Sequence, residues 1–556
     1  MEEVVFPTPH SPPPTPHFFI TMKQKLTYCI VILSLFFTFS VFSQAATEKP
    51  KKKNVVIMIG DGMGLNTHVA GSYWRFGELG KQPVDSFPVQ LGMTTFEVKP
   101  GVDAIPDGVK GYDLERFWKN LDGANVGTEF TQTTDSASAA TAIYTGQKTT
   151  GGRMGVTQDG KPLKLLSDYA AETNIRTGVV STVQLSHATP GAFGSHNVSR
   201  GNYAEIFNEI LFQSNLTVLF GAGHPFYING NPIAMRDGEK KAVEYPVSPE
   251  MIPADKTWEE FCAENWDFQY IGGIETAKRL RLEPLRTLDN VRRLGGRAGV
   301  IPTDTKVGFN QWAENGLSRY GKMRGDVPAQ FRFVGVARSR DNIPPIDGAP
   351  DDPEAEAILL RKLKNTNFDE LPTLSTMSLA ALKILSDDAA LGDSNGFTLM
   401  IEGGAIDWAN HGNDIEQSIM EHTGFMKAVE TVIEWVEKNS SWDETLLIVT
   451  ADHETGGMWG PGTFEEVKEG EETKRIFHEH KPLVNNGKGR VPGVQYSTGG
   501  HTNTLVPFWA KGRGAEEFPK KVRGTDQKAG DYWGNASKFG GKYIDNTDIA
   551  PVILSL

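Results

Sequence analysis

Residues 54–62 read NVVIMIGDG, an unbroken apolar run from Val55 to Ile59 that passes straight into a Gly-Asp-Gly turn. A strand with one wet face alternates apolar and polar side chains. A run without alternation is expected where both faces are covered, as in a parallel sheet. Three further stretches share the design: VVSTVQLSHATP at 179–190, FTLMIEGGAIDWANH at 397–411 and LLIVTADHETGG at 446–457. Strands of such sheets deliver functional groups at their carboxyl ends. Asp61, Thr189, Glu402, Asp407, His411, Asp452 and His453 are therefore expected together at one sheet edge. The expected fold class is α/β, with a central, mostly parallel sheet flanked by helices on both faces and carrying cap insertions. Singly, each of these residues has an ordinary reading as a turn residue, a helix cap or a structural histidine. The constellation is what marks a site.

The chain has 556 residues, which α/β folds with insertions reach around one core, and 39% hydrophobic residues supply that core. A formal net charge of −13 argues against nucleic acid as the main partner, because polyanion binding needs a basic stripe and none is present. Residues 22–45 read as a secretory signal: a basic start at Met22-Lys23-Gln24-Lys25, an apolar stretch from Tyr28 to Phe42, and Ser43-Gln44-Ala45 with small residues at the cleavage positions. The apolar stretch is short for a membrane span, so an exported chain, periplasmic or secreted, with no span in its mature form is expected. Residues 1–21 are Pro-rich without a core pattern, and translation is expected to start at Met22. Cys29 would leave with the signal, and Cys262 alone makes no intramolecular disulfide. Packing and bound metal must hold the exported protein together.

From residue 50 to 556 the chain reads as one catalytic domain with two insertions. The stretch 226–370, rich in Pro and Arg with scattered aromatics such as Trp258, Trp266 and Tyr270, reads as an insertion or a cap over the sheet edge. The stretch 462–496 carries Glu and Lys runs and ends at the Gly-rich STGGHTN. Ile415, Ile419, Phe425, Met426, Val429, Val432, Ile433 and Val436 recur at helical spacing and predict a helix over 413–438. A shorter helix is expected to start near Ser136, followed by small residues that allow close packing.

Asp407 and His411 are four apart, which puts carboxylate and imidazole on one face of a helix; the bland reading is a hydrogen bond near a helix start. His501 follows a Gly-rich turn, where backbone approaches a site closely, and it can complete a three-ligand site of zinc type. Asp452 and His453 can reach one ion where the backbone bends, which Gly456-Gly457 permit. The oxygen donors of Glu402 and Thr189 suit magnesium better than zinc. Ser136, in TTDSASAATA, is the nucleophile candidate: at a helix amino terminus the free N–H groups favour an alkoxide or a phosphate. Its ordinary reading, like that of Asp135, is an N-cap. Arg200 offers a two-pronged donor for phosphate oxygens.

These motifs, in this order, resemble the alkaline phosphatase family over residues 54–556. The resemblance implies hydrolysis of phosphate monoesters by a metal-dependent enzyme, usually a homodimer, through a phosphoserine on Ser136. It assigns Asp407, His411 and His501 to one zinc, and Asp61, Asp452, His453 and Ser136 to a second. Magnesium falls to Asp61, Thr189 and Glu402. Three divalent ions outweigh the four carboxylates, and Arg200 adds to a cationic pocket on an acidic protein. Asp135, His187 and Trp408 are expected just outside the ligands. His187 and Trp408 depart from the enterobacterial branch, which has Asp and Lys there. His68, His196, His224, His422, His478 and His480 are read as structural or surface residues, with His478 and His480 on a solvated loop. Two alternatives remain: a phosphodiesterase or mutase using the same pocket, and an inactive metal- or phosphate-binding envelope protein.

Overall fold

The computed structural model describes residues 52–102, 105–106, 111–121, 127–223, 227–232, 300–303, 305–317, 332–339, 341–470, 472–534 and 539–556. The extension 1–21, the signal 22–45, Cys29, Cys262, His224, Trp258, Trp266 and Tyr270 lie outside them.

Eleven strands form one sheet: β1 (Asn54–Gly60), β2 (Val89–Thr94), β3 (Arg176–Gln184), β4 (Leu216–Ala222), β5 (Val300–Thr303), β6 (Arg332–Val336), β7 (Phe397–Gly403), β8 (Thr445–Thr450), β9 (Val506–Gly512), β10 (Gly524–Thr525) and β11 (Lys542–Asp545). Their order is β10-β11-β2-β9-β8-β1-β7-β3-β4-β6-β5. From β8 to β5 every neighbouring pair is parallel. β9 runs antiparallel to both β8 and β2. Helices cover both faces, as the unbroken apolar runs require. β1 is buried along its whole length, and so are β7 and β8. Each large aliphatic side chain in these strands contributes roughly 1.5–3 kcal/mol of transfer free energy on burial.

Register then sets the site. Ile59 is paired with Glu402 on one side and Thr450 on the other, and Glu402 is paired with Ser181. The carboxyl ends of β8, β1, β7 and β3 therefore finish side by side. The loops after them start within a few residues of one another.

The main helices used below are α1 (Leu65–Phe76), α2 (Ser136–Thr145), α3 (Lys306–Asn315), α4 (Leu374–Leu385), α5 (Ala405–His411) and α6 (Ile415–Asn439). α6 starts two residues later than its apolar spacing predicts, because Asp414 caps it and accepts from Gln417 N at 3.1 Å. Its buried face includes Ile419, Phe425, Met426, Val429, Val432 and Val436, and packs on α1, α4 and α5. No helix among the described residues is long and apolar enough to cross a membrane.

Two expectations need correction. Part of the stretch 226–370 does not cap the sheet edge but extends the sheet: β6 pairs with β4, Phe333 opposite Val218, and β5 pairs with β6. α3 packs on α4, and Trp312 stacks on Phe220 of β4 at 5.3 Å. A strand of four or five residues flanked by charge carries too little periodicity to be read. The second correction concerns His480, placed by its Glu-rich surroundings on a solvated loop. Residues Phe464–Glu469 and Glu472–Phe477 do form a charged two-stranded ribbon. The chain then turns inward, and the His480 ring lies 4.0 Å from that of Trp459 and stacks on Phe117 at 5.4 Å.

Candidate active site

Local chain chemistry places the side chains. α2 is capped by Asp135, whose carboxylate accepts from Ser138 N at 3.0 Å, and closed by Gly146 in the left-handed conformation. Ser136 is thus the first helical residue, below free N–H groups. The loop after β1 brings Gly62, at φ +69°, so close to α5 that a Cβ there would lie 2.7 Å from Asp407 Cα. No other residue fits this turn without displacing the helix that carries Asp407 and His411. Gly456 and Gly457, at φ +92° and +54°, reverse the chain so that Thr455 pairs with His501.

Three donor groups form, each with its ligand atoms within 4.8 Å of one another: Asp407 with His411 and His501, Asp61 with Asp452 and His453, and Asp61 with His187 and Glu402. In the first, His411 Nδ1 donates to Gly499 O at 2.6 Å and His501 Nδ1 to Thr134 O at 2.8 Å. Both Nε2 atoms are left bare and face each other at 3.1 Å, with Asp407 oxygens 3.3 and 3.5 Å away. Two opposed lone pairs need a proton or a cation between them, and carbonyl-fixed imidazoles are how metal-binding histidines are held. When no ion is bound, a hydrogen bond from a protonated Nε2 to Asp407 pushes His411 up to about 9. Burial raises the Asp407 carboxyl, but its bonds to His411 and His501 hold it well below the usual range.

In the second group, His453 Nε2 is 3.2 Å from Asp452 Oδ2 and 3.6 Å from Asp61 Oδ1. The same nitrogen is 3.1 Å from Ser136 Oγ, so the nucleophile candidate touches this group directly. Burial holds His453 well below its ordinary value, in a neutral form suited to ligation. In the third group Asp61 Oδ1, Glu402 Oε1 and His187 Nδ1 are buried without a partner. Thr189 Oγ1 adds an oxygen 3.4 Å from Asp61 Oδ2 and 3.5 Å from Asp452 Oδ2. Burial, and then the neighbouring carboxylates, push Asp61 well up; burial pushes Glu402 to about 8 and Asp452 to about 6. Crowded carboxylates and orphaned oxygens with so few protein donors fit cations.

Arg200 donates from one terminal nitrogen to Asp135 Oδ2 at 3.0 Å, which leaves the rest of its fork for a ligand. The other terminal nitrogen lies 3.4 Å from His187 Nε2. Trp408, half-buried, meets His187 edge to face at 5.7 Å and walls the same side. Every site residue expected from the sequence is therefore in one place. His187 groups with Asp61 and Glu402; burial, then Arg200, lowers it to about 3.

Sequence reading missed Thr455. Its hydroxyl is 2.5 Å from Asp407 Oδ1 and 3.3 Å from His453 Nδ1. The ionised Asp407 only accepts, so Thr455 donates to it and accepts from His453 Nδ1–H. One hydroxyl thereby joins two donor groups and leaves His453 Nε2 bare. Thr in a Gly-rich turn is an ordinary residue, and nothing in its neighbours signalled this.

The sequence model of the alkaline phosphatase family matches residues 119–225 and 353–527. Alkaline phosphatase 4 of Bacillus subtilis is 23% identical over 573 aligned residues, spanning 92% of this chain and 96% of its own. Alkaline phosphatase 3 of the same organism is 24% identical over 568, spanning 90% and 95%. Among solved structures, the Thermus thermophilus alkaline phosphatase aligns over 92% of this chain and 94% of its own, with a TM-score of 0.50 at 17% identity, a likeness of fold.

Proposed function

Since the chain belongs to the alkaline phosphatase family and is a phosphomonoesterase, we propose that it works through a covalent phosphoserine on Ser136, with metal ions held by the three donor groups. Zinc suits the nitrogen-containing sets of Asp407, His411 and His501 and of Asp61, Asp452 and His453, while magnesium suits Asp61, Glu402 and Thr189. Bound divalent ions neutralise charge on phosphoryl oxygens and lower the pKa of a coordinated hydroxyl or water.

The chain's own part follows from where its groups lie. Arg200, braced by Asp135, holds two phosphoryl oxygens as a bidentate donor. Ser136 Oγ, at the amino end of α2, forms a bond to phosphorus while the bond to the leaving alcohol oxygen breaks. Water then cleaves the Ser136 ester and releases inorganic phosphate. The Trp408 and His187 rings border the pocket on one side.

The observation that carries this reading is Ser136 Oγ set 3.1 Å from His453 Nε2, inside a cluster of buried donor atoms that the protein itself leaves unpaired. Exhaustive chelation should abolish turnover of a chromogenic phosphate monoester, and zinc with magnesium should restore it. Unchanged turnover after verified metal loss would overturn the metal-dependent reading, and preference for a diester would overturn the substrate class. The basic, apolar and small-residue run at 22–45 supports an exported enzyme, and family resemblance supports a homodimer. Cell fractionation and sedimentation test these.

A further inference from the structure

Behind the Arg200 brace lies a buried chain of hydrogen bonds that ends in a carboxylate belonging to none of the three donor groups. Glu97 is 3% exposed. It pairs across a short antiparallel ribbon with Gln132, whose amide donates to Glu97 Oε1 at 2.6 Å. Glu97 Oε2 accepts from Ser138 Oγ at 2.5 Å and from Asp135 N at 3.3 Å. Ser138 Oγ also lies 2.9 Å from Asp135 Oδ1 and 2.7 Å from Thr134 Oγ1. The loop that receives Arg200 presses on the same carboxylate. A Cβ at Gly151 would stand 2.9 Å from Glu97 Oε1, and Gly152 O accepts the Arg200 backbone N–H at 2.7 Å.

We infer that Glu97, acting through Ser138, is a positioning residue for the phosphate clamp. Asp135 has one oxygen for the helix and one for Arg200. The Ser138 backbone N–H fixes Oδ1 and leaves Oδ2 for the guanidinium, while the single Ser138 hydroxyl proton goes to Glu97. Glu97 holds that hydroxyl and the Asp135 backbone from below, and the Gly151-Gly152 turn against which it packs fixes the Arg200 main chain. The two ends of the Arg200–Asp135 pair are thereby referred to one buried anchor. A rigid clamp loses less freedom when phosphate binds, which is the route by which an anchor of this kind affects affinity without touching the ligand. A plain structural role for a buried carboxylate would be loss of global stability alone, and that role predicts no coupling to Asp135.

The inference rests on the phosphatase reading, and its test separates the two. With zinc and magnesium loaded, inorganic phosphate inhibition is measured for the parent, Glu97→Ala, Glu97→Gln, Ser138→Ala, Asp135→Ala and the double variant Glu97→Ala/Asp135→Ala. Glu97→Ala and Ser138→Ala should weaken phosphate binding by roughly three- to tenfold, the scale of a lost hydrogen bond, with metal content unchanged. Glu97→Gln should stay within about twofold of the parent, since Gln132 can turn its amide over to meet the new one. On the Asp135→Ala background the Glu97→Ala change should add nothing. Additive losses in the double variant, or parent-like phosphate affinity in Ser138→Ala, would overturn the inference. Ser138→Ala removes only a hydroxyl and carries the test if Glu97→Ala does not fold. A fully metallated parent that binds no phosphate would overturn the phosphatase reading beneath it.

Discussion

The histidines of this protein fall into two regions that use the same imidazole in opposite ways. At the sheet edge, His411 and His501 give one nitrogen to a backbone carbonyl and turn the other towards a neighbour that also has a lone pair to place. Away from it, the rings meet acceptors or other rings, and where a nitrogen is unpartnered, as in Nδ1 of His422 and of His480, no second lone pair among the described residues is set against it. His196 sets its nitrogens 3.0 Å from Glu209 and 2.8 Å from Leu163 O, and His68 lies 3.3 Å from both Asp85 and His422. His480 lies among aromatic rings and meets Phe117 O at 3.3 Å. Burial does not separate the two sets, since His68 and His422 are as buried as His453. What separates them is the count of lone pairs left facing one another, and that count marks where a cation belongs.

The sharpest way to break the contrast is at Ser136, whose hydroxyl faces the His453 lone pair. Ser136→Ala should lower phosphomonoester turnover by at least about a thousandfold while metal content stays at the parent's level. Acid trapping of the parent should place phosphate on Ser136; phosphate on Thr134 or Ser138 would move the nucleophile. Next in size, Glu402→Ala removes a carboxylate whose free oxygen has no protein donor. Magnesium should be lost with zinc retained, and turnover should fall on the order of ten- to hundredfold, as when a partner of a metal site is removed. Simultaneous loss of zinc would show that the donor groups are not separable.

The smallest effect belongs to the other region. Burial among aromatic rings depresses His480 to about 4, so the unfolded chain binds a proton at higher pH than the folded one. The stabilisation is fully present above the unfolded value near 6.5 and is lost as pH falls towards 4. His480→Phe should therefore flatten the acid-side loss of stability between about pH 7 and pH 5 by about 1 kcal/mol, with allowance for partial exposure. Chemical denaturation of both proteins at the two pH values checks it, and an unchanged slope would remove His480 from the account.

Much of this was legible beforehand for specific reasons. Val55 to Ile59 and Leu446 to Val449 read as strands covered on both faces because each is an unbroken apolar run of strand length that passes straight into a turn. Asp407 and His411 are legible as a carboxylate and an imidazole on one face because a helix turns through their spacing about once. β6 was not legible, since its residues Arg332–Val336 become a strand only by pairing with β4. Nor was Glu97, whose partners Ser138 and Asp135 are 41 and 38 positions away. His480 was misread because its sequence neighbours are charged while its spatial neighbours, Trp459 and Phe117, come from elsewhere in the chain.

By itself the sequence determined the elements and the chemistry each one carries: strands that end in carboxylates and imidazoles, a capped helix that begins with a serine, and glycines where the backbone must turn tightly. These are local properties, set by periodicity, capping and allowed dihedral angles. Only the tertiary structure decided how the pieces meet. Strand register places Glu402 opposite Ser181, a single threonine hydroxyl joins Asp407 to His453, and Glu97 braces a clamp to which it has no sequence proximity. Contacts of that kind depend on which distant surfaces pack together, and a hydrogen bond a few ångströms long leaves no mark on the residues that lie between its ends.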